Sequence, residues 1–310
     1  MFMTEILSIY WNVNPELIHI GGFAIRWYSL LFVAGFILGW FIFQWFFNKE
    51  SLNPKLLDSL LVTLIVGTII GARLGHCFFY QPDYYLAPFV KMFGGTVSPD
   101  LAREGLTEWE GFFRIFMPWK GGLASHGGTI ALFIAMIWYA KRYGRKHHFD
   151  FVWLLDHLCI AVAFAAMFIR LGNFFNSEIY GGTTNLPWGV VFARAGESEP
   201  RHPTQLYEAL SYLLLGLFLL WRYKTRLKQA WKGSFIGIFF IVCFGSRFLI
   251  EFIKEDQVEF EASMALNMGQ LLSIPFILLG IGFLVYAYKN REPSFTNGGY
   301  DRLRDINRKR

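Results

Sequence analysis

Seven ionisable side chains stand in, or at the edge of, long apolar runs: Arg26, Arg73, His126, Arg170, Glu208, Arg247 and Glu251. A charge within a membrane-spanning segment costs at least ~2.5 kcal/mol, so each is a functional candidate by default. Four guanidinium groups against two carboxylates leave an excess of positive charge. An arginine fork matches phosphate oxygens bidentately, so that excess calls for a phosphate-bearing anion. In the outer leaflet of a membrane the abundant phosphate is a phospholipid headgroup. Plainer readings stand beside this one. Arg247 and Glu251, at i and i+4, could neutralise each other, Arg26 could snorkel to headgroups, and His126 could be a satisfied structural residue. Asp58, Asp156 and His157 sit toward the opposite ends of their runs and read as helix-end or packing residues.

Local sequence sharpens the set. G-G-L-A-S-H-G-G at 121–128 puts His126 between glycine pairs where an apolar run begins. Such a helix start offers bare N–H groups and close backbone approach to an anion or reacting group. R-L-G-N-F-F-N-S-E-I-Y-G-G at 170–182 gathers Arg170, Asn173, Asn176 and Glu178 within nine residues. R-H-P-T-Q-L-Y-E at 201–208 places His202 before a proline suited to the first position of a helix. The three cysteines, Cys77, Cys159 and Cys243, lie within apolar runs without metal-ligand spacing, so neither a disulfide framework nor a metal or other cofactor is expected.

The elements that must carry these groups follow from composition. Of 310 residues, 54% are hydrophobic, 19% aromatic and only 17% charged. A soluble chain has about 25% charged residues, so an all-α integral membrane protein is expected. Seven runs approach the ~20 apolar residues a spanning helix needs: 24–47, 58–80, 123–140, 150–171, 204–221, 234–253 and 266–288. The loops after the first, third, fifth and seventh runs hold 18 Lys and Arg, whereas the amino-terminal segment and the other three loops hold 7. Positive-inside bias then puts the amino terminus outside and the carboxyl tail in the cytoplasm, with all seven ionisable groups in the outer half of the bilayer. The first 22 residues carry Glu5 and Glu16 and no Lys or Arg, so no cleavable leader is expected.

A single transmembrane domain over 1–310 is therefore expected, with three outer embellishments. Around Gly21-Gly22 the alternation in 15–28 predicts a hairpin. Residues 81–120 form an interfacial loop or arm, where S-P-D at 98–100 predicts a capped amphipathic helix in the headgroup zone. Residues 173–203, rich in Gly, Asn and Thr, form a small extracytoplasmic head. The basic tail at 289–310 reads as a cytoplasmic anchor on anionic lipid rather than a nucleic-acid arm.

At this point the chain resembles the bacterial phosphatidylglycerol–prolipoprotein diacylglyceryl transferase family over nearly its whole length. The most specific match is R-x-x-N-F-x-N-x-E-x-x-G, here Arg170, Asn173, Phe174, Asn176, Glu178 and Gly181. R-W-Y at 26–28, G-A-R-L-G at 71–75, the 121–128 block, H-P-T-Q-L-Y-E at 202–208 and R-F-L-I-E-F at 247–252 support it. The chain departs from the family pattern at Ile169, Lys120 and Cys243, where glycine, glutamate and tyrosine are usual, and its loop between Tyr85 and Trp119 is long.

The resemblance implies seven helices with an external head, in the bacterial inner membrane. It implies transfer of diacylglyceryl from phosphatidylglycerol to the lipobox cysteine thiol of a prolipoprotein signal peptide, with glycerol 1-phosphate released. Arg170 and Arg247 then bind the phosphate, and His126 is the base, with His202 its rival. Glu178, Glu208 and Glu251 orient the arginines, Asn173 and Tyr28 hydrogen-bond the headgroup or order the cap, and Gly181 and Arg73 complete the substrate-binding set. A monomer is expected. Other classes compete: an anion transporter or channel, which would want polar groups at the midplane; a photoreceptor, which lacks its lysine in 266–288; and a serine or zinc phospholipid hydrolase, whose motifs are missing.

Overall fold

The computed structural model describes residues 9–21, 23–118, 121–226, 230–255 and 266–292. Gly22, Lys120, the acidic residues of 256–261 and the basic tail from 293 onward lie outside these. The chain divides into two compact units, Met1–Ser51 with Val152–Arg310, and Leu52–Phe151.

The first unit opens with β1 (Ile9–Trp11), β2 (Glu16–Ile20) and β3 (Phe23–Arg26). β2 and β3 pair antiparallel with Ile20 opposite Phe23, so the expected hairpin forms, and Gly21 supplies the left-handed turn at φ +59°. Arg26 closes the hairpin opposite Glu16 and forms an exposed ion pair with it at 3.6 Å. Helix α1 (Trp27–Lys49) follows directly. Later in the chain come α8 (Phe151–Phe175), β4 (Val190–Phe192), α9 (Thr204–Arg226), α10 (Ser234–Ile250) and α11 (Met268–Asn290). β1 and β4 pair in parallel, tying the amino-terminal segment to the polar head between α8 and α9.

Small residues set the helix spacing. A Cβ at Gly35 would lie 3.1 Å from the Ala165 backbone, and one at Gly237 would lie 3.0 Å from the Gly280 carbonyl. This close approach is how apolar helices gain contact without a hydrophobic driving force. Asp156 accepts from the backbone N–H groups of Gly233, at 2.7 Å, and Ile236, at 3.0 Å, capping the start of α10.

The second unit holds α2 (Pro54–Gly75), a π-helical turn (His76–Tyr80), the short helices α3 (Pro82–Tyr85), α4 (Ala87–Met92), α5 (Pro99–Arg103) and α6 (Glu108–Phe113), and α7 (Ser125–His147). Asn53 caps α2 by accepting from Lys55 at 3.0 Å, with Pro54 at the first helical position. Gly67, Gly71 and Gly75 form one stripe of α2. A Cβ at Gly71 would overlap Ala131, and one at Gly75 would lie 2.7 Å from the Gly127 Cα, so α2 and α7 meet backbone to backbone.

The arm differs from the single helix expected after Ser98. Gly105 at φ +66° breaks it into α5 and α6. The side-chain cap belongs to Thr107, which forms a capping box with Glu110, while Ser98 makes no such bond.

Among the described residues six helices are long and apolar enough to cross a membrane: α1, α2 with its π turn, α8, α9, α10 and α11. The third expected crossing forms as α7 at its full 23 residues. It misses that hydropathy because its first turn holds Ser125, His126 and two glycines and its last six residues hold four basic groups. Large side chains such as Phe36, Val62, Ile134, Leu214 and Leu278 project outward from these helices, as a hydrocarbon solvent requires. The chain is a multi-pass membrane protein.

Candidate active site

The densest buried charge lies in the first unit, where the end of α8, the start of α9 and the end of α10 supply its members. Arg170 is five residues before the end of α8. Its Nε contacts Glu208 Oε2 at 2.7 Å, and its Nη1 donates to Asn173 Oδ1 at 3.3 Å. Glu208, one turn into α9, is 0% exposed, and its second oxygen meets Lys254 Nζ at 3.1 Å. Lys254 also reaches Glu251 Oε2 at 3.0 Å. Its side chain is 3% exposed, so it is a buried cation shared by two buried carboxylates. The Glu251 carboxyl packs where a Cβ at Gly269 would stand, at the start of α11.

Lys254 replaces Arg26 and Arg73 in the charge balance. Arg26 belongs to the exposed hairpin. Arg73, 3% exposed in the second unit, donates from Nε to the Ile115 carbonyl at 3.1 Å and from Nη1 to Gly122 at 3.0 Å. It bonds the carbonyls of Gly121 and Arg114 as well and lies over the Tyr85 ring. Four of its five N–H donors brace the loop between the arm and α7. Around Glu208 and Glu251 the cations are thus Arg170, Arg247 and Lys254, still one positive charge in excess.

Arg247 holds that excess. Glu251 pairs with Lys254 rather than with Arg247, so the i, i+4 neutralisation does not occur. The guanidinium is half-buried, and its Nε is buried with no hydrogen-bond partner among the described residues. An unfilled charged donor in apolar surroundings is costly, and an anion would relieve that cost.

The loop after α8 is held against this cluster under backbone strain. Ser177 and Ile179 adopt positive φ, at +54° and +61°, which is rare for a β-branched residue. Two fully buried residues at the start of α9 hold the loop there. Thr204 Oγ1 donates to the Ile179 carbonyl at 2.9 Å and Gln205 Nε2 to that of Glu178 at 2.7 Å. Such strain clusters at functional sites. The Glu178 carboxylate accepts from Asn173 Nδ2 at 2.7 Å and Asn176 Nδ2 at 3.2 Å. At Gly181 a Cβ would lie 2.5 Å from the Ile253 carbonyl and 2.8 Å from the His202 side chain, so only glycine fits. Tyr28 packs its ring into the space left by Gly172 of α8.

The two histidines differ. His126 is exposed in the first turn of α7, in the second unit, and its ring makes no hydrogen bond to a described residue. His202 lies in the head with Nδ1 3.3 Å from the Tyr207 hydroxyl, which accepts from Trp188 Nε1 at 2.8 Å. Its main chain exchanges hydrogen bonds with Gly181 and Gly182. Elsewhere in the head, burial followed by the neighbouring Glu197 pushes the Tyr180 phenol up to about 12. Hydrogen bonding from Tyr180, then from Arg201, holds Glu197 below the usual carboxylate range. Among the described residues no group of three or more His, Cys, Asp or Glu could hold a metal.

Lys254, Thr204 and Gln205 are members that the charge-in-apolar-run argument missed. Lys254 had a signal, three residues after Glu251 at helical spacing, and Thr204 and Gln205 lie inside the 201–208 block.

Helices of membrane length that end in a strained, ion-paired polar cluster with one unfilled guanidinium donor define a membrane protein with a site open to an anion. The chain belongs to the prolipoprotein diacylglyceryl transferase family, whose pattern matches residues 15–286. It is 43% identical over 302 residues to the phosphatidylglycerol–prolipoprotein diacylglyceryl transferase of Porphyromonas gingivalis, covering 93% of this chain and 98% of the relative. It is 40% identical over 286 residues to the enzyme of that name from Bacteroides fragilis, covering 92% and 98%. The Tolumonas auensis enzyme is 38% identical over 283 residues, covering 91% and 99%. These relatives are transferases, and the transporter reading finds no support among them.

Proposed function

We propose that this chain transfers the diacylglyceryl group of phosphatidylglycerol to the thiol of a signal-peptide cysteine, the first step of lipoprotein maturation. The carrying observation is the unfilled buried donor of Arg247 within a cluster that already neutralises Arg170 and Lys254. The relatives' names supply the anion and its acceptor, phosphatidylglycerol and a prolipoprotein.

In the proposed step a sulfur–carbon bond forms as the bond from that carbon to the phosphate oxygen breaks. The bonding pair leaves with glycerol 1-phosphate, and the thiol proton passes to a base. Arg247 and Arg170 stabilise the charge growing on the departing phosphate, and a preorganised donor of this kind contributes about 10²–10³ in rate. A thiol of pKa ~8.5 is only a few per cent ionised at pH 7 and needs the base. His126 is the proposed base because its exposed ring has no competing partner. His202 is the rival, with its ring beside Tyr207 and its main chain in the head. Glu178, Glu208 and Glu251 orient the cations, Asn173 and Tyr28 hydrogen-bond the headgroup or order the cap, and Gly181 completes the substrate-binding set. No cofactor is invoked.

The same reading includes seven crossings with α7 as the third, an external amino terminus, a cytoplasmic carboxyl tail in the bacterial inner membrane, and a monomer. The length of α7, about 34 Å at 1.5 Å per residue, and the basic bias of alternate loops support it.

The test is purified protein with phosphatidylglycerol and a cysteine-containing signal peptide. Release of glycerol phosphate that needs the thiol is expected, and a Cys→Ser peptide should give none. Release independent of the thiol, or none at all, overturns the proposal. In His126→Gln, lipid binding should persist while turnover is lost; normal turnover removes His126 from the base role.

A further inference from the structure

Among the described residues, the hydrogen-bond partners of the buried Arg73 guanidinium are all main-chain carbonyls, and they come from two stretches of the second unit. Arg114 and Ile115 lie where the arm ends, and Gly121 and Gly122 where the chain turns toward α7. Both glycines take left-handed angles, φ +92° and +76°, and in that conformation their carbonyls face Arg73. Two residues later the Ala124 N–H donates to the carbonyl of Ala72, the neighbour of Arg73, at 2.8 Å. Helix α7 then begins at Ser125 without a side-chain cap, and His126 stands in its first turn. A first turn with no cap leaves its N–H groups unfilled and frays readily. What holds His126 in place is therefore the backbone on either side of it. After it, Gly127 packs against Gly71 and Gly75 of α2. Before it, the chain is anchored by Arg73.

We propose that Arg73 is a positioning residue for the proton transfer, acting through the loop that leads into His126. A guanidinium offers its N–H donors in one rigid plane. Nε and Nη2 hold the end of the arm, and Nη1 holds both glycine carbonyls. The two stretches are thus kept at a fixed separation, and the chain enters α7 from a fixed direction. An ammonium has three donors on a flexible stem and cannot span both stretches in this way. Arg73 then affects the rate without touching lipid, which sets it apart from Arg170 and Arg247.

The role rests on the transfer reading with His126 as base, and the experiment separates the layers. A base is needed only while the substrate thiol is protonated, and a thiol of pKa ~8.5 is mostly ionised by about pH 9.5. Wild type, His126→Gln and Arg73→Lys are compared for thiol-dependent glycerol phosphate release at pH 7 and pH 9.5. A wild type that releases nothing overturns the reaction, and normal turnover in His126→Gln overturns the base; either takes the role of Arg73 with it. With both standing, Arg73→Lys should lower kcat at pH 7 by about tenfold to a hundredfold, since small misplacements of a positioned group cost this much. KM for phosphatidylglycerol should stay within about threefold, and the deficit in kcat should shrink to less than about threefold at pH 9.5. An equal deficit at both pH values marks a merely structural defect and overturns the role, as does full activity. A raised KM with unaltered kcat makes Arg73 a lipid ligand and overturns it too. If Arg73→Lys does not accumulate, Gly122→Ala disturbs the same brace from the other side. A Cβ there would stand 2.9 Å from Arg73 Nη1 and 2.5 Å from His76 Nε2, on a backbone angle that alanine rarely adopts. The same pH-dependent deficit is expected, and its absence overturns the role.

Discussion

Two buried polar clusters lie about 20 Å apart along α8, thirteen residues at 1.5 Å each, and they are built on opposite rules. Near the start of the helix, Glu50 accepts from His157 Nε2 at 2.6 Å, from Tyr223 Oη at 2.8 Å and from Trp153 Nε1 at 2.9 Å. His157 Nδ1 in turn meets the Trp153 carbonyl at 2.7 Å. Every polar atom in that group has a partner within the protein. Near the end of the helix, Arg170, Glu208, Lys254 and Glu251 are paired, yet the Arg247 Nε is left over. A satisfied network fixes packing, whereas one with a spare buried donor is open to a partner from outside. Burial of charge alone does not separate the two; the count of filled donors does.

Removing Arg247 tests the contrast most severely. Arg247→Ala should lower turnover by about 10³-fold, the upper range for loss of one preorganised donor, while the melting temperature holds, because no protein partner is orphaned. Arg247→Lys should also be poor, since an ammonium cannot supply the fork; full activity there argues against bidentate binding. Glu50→Ala should behave in the opposite way. It strands His157, Tyr223 and Trp153, and a loss of about 3–5 kcal/mol of stability is expected, with turnover per folded molecule preserved. A stable but inactive Glu50→Ala would erase the distinction.

The smallest effect belongs to the head. Glu197 is held below the usual carboxylate range, first by Tyr180 and then by Arg201. Its contribution is therefore present above the ordinary carboxylate value and is lost as pH falls through its lowered one. Tyr180, raised to about 12, contributes below pH 10, and that share is lost as pH rises toward 12. Tyr180→Phe should flatten both limbs of the melting-temperature profile by about one degree. An unaltered profile would show that the pair is screened out.

Much of this architecture was legible in the residues. The apolar runs became helices within a few positions, the Gly21 alternation became a hairpin, and Asp156 and His157 proved to be a helix cap and a packing residue. Asn173, expected in the head, is helical because α8 continues to Phe175. The arm was read as one helix because its apolar spacing is continuous. Gly105 interrupts it by a backbone angle that side-chain periodicity does not record. Within the site, residue types picked out Arg170, Arg247, Glu208 and Glu251 but not the pairing among them. Lys254 outcompeted Arg247 for Glu251 because its short reach past the end of α10 meets two carboxylates at once. Arg73 looked like a ligand for lipid. Its carbonyl partners come from residues 114–122, some forty positions away, and no local pattern announces them.

The contact between Gly71 and Ala131 carries a consequence for descent. A methyl group at 71 would meet not only the Ala131 side chain but also the Gly127 carbonyl oxygen, at 2.6 Å, so loss of the methyl at 131 does not by itself free the locus. A lineage in which 71 carries a methyl should therefore show the two backbones moved apart, and not merely a smaller residue at 131.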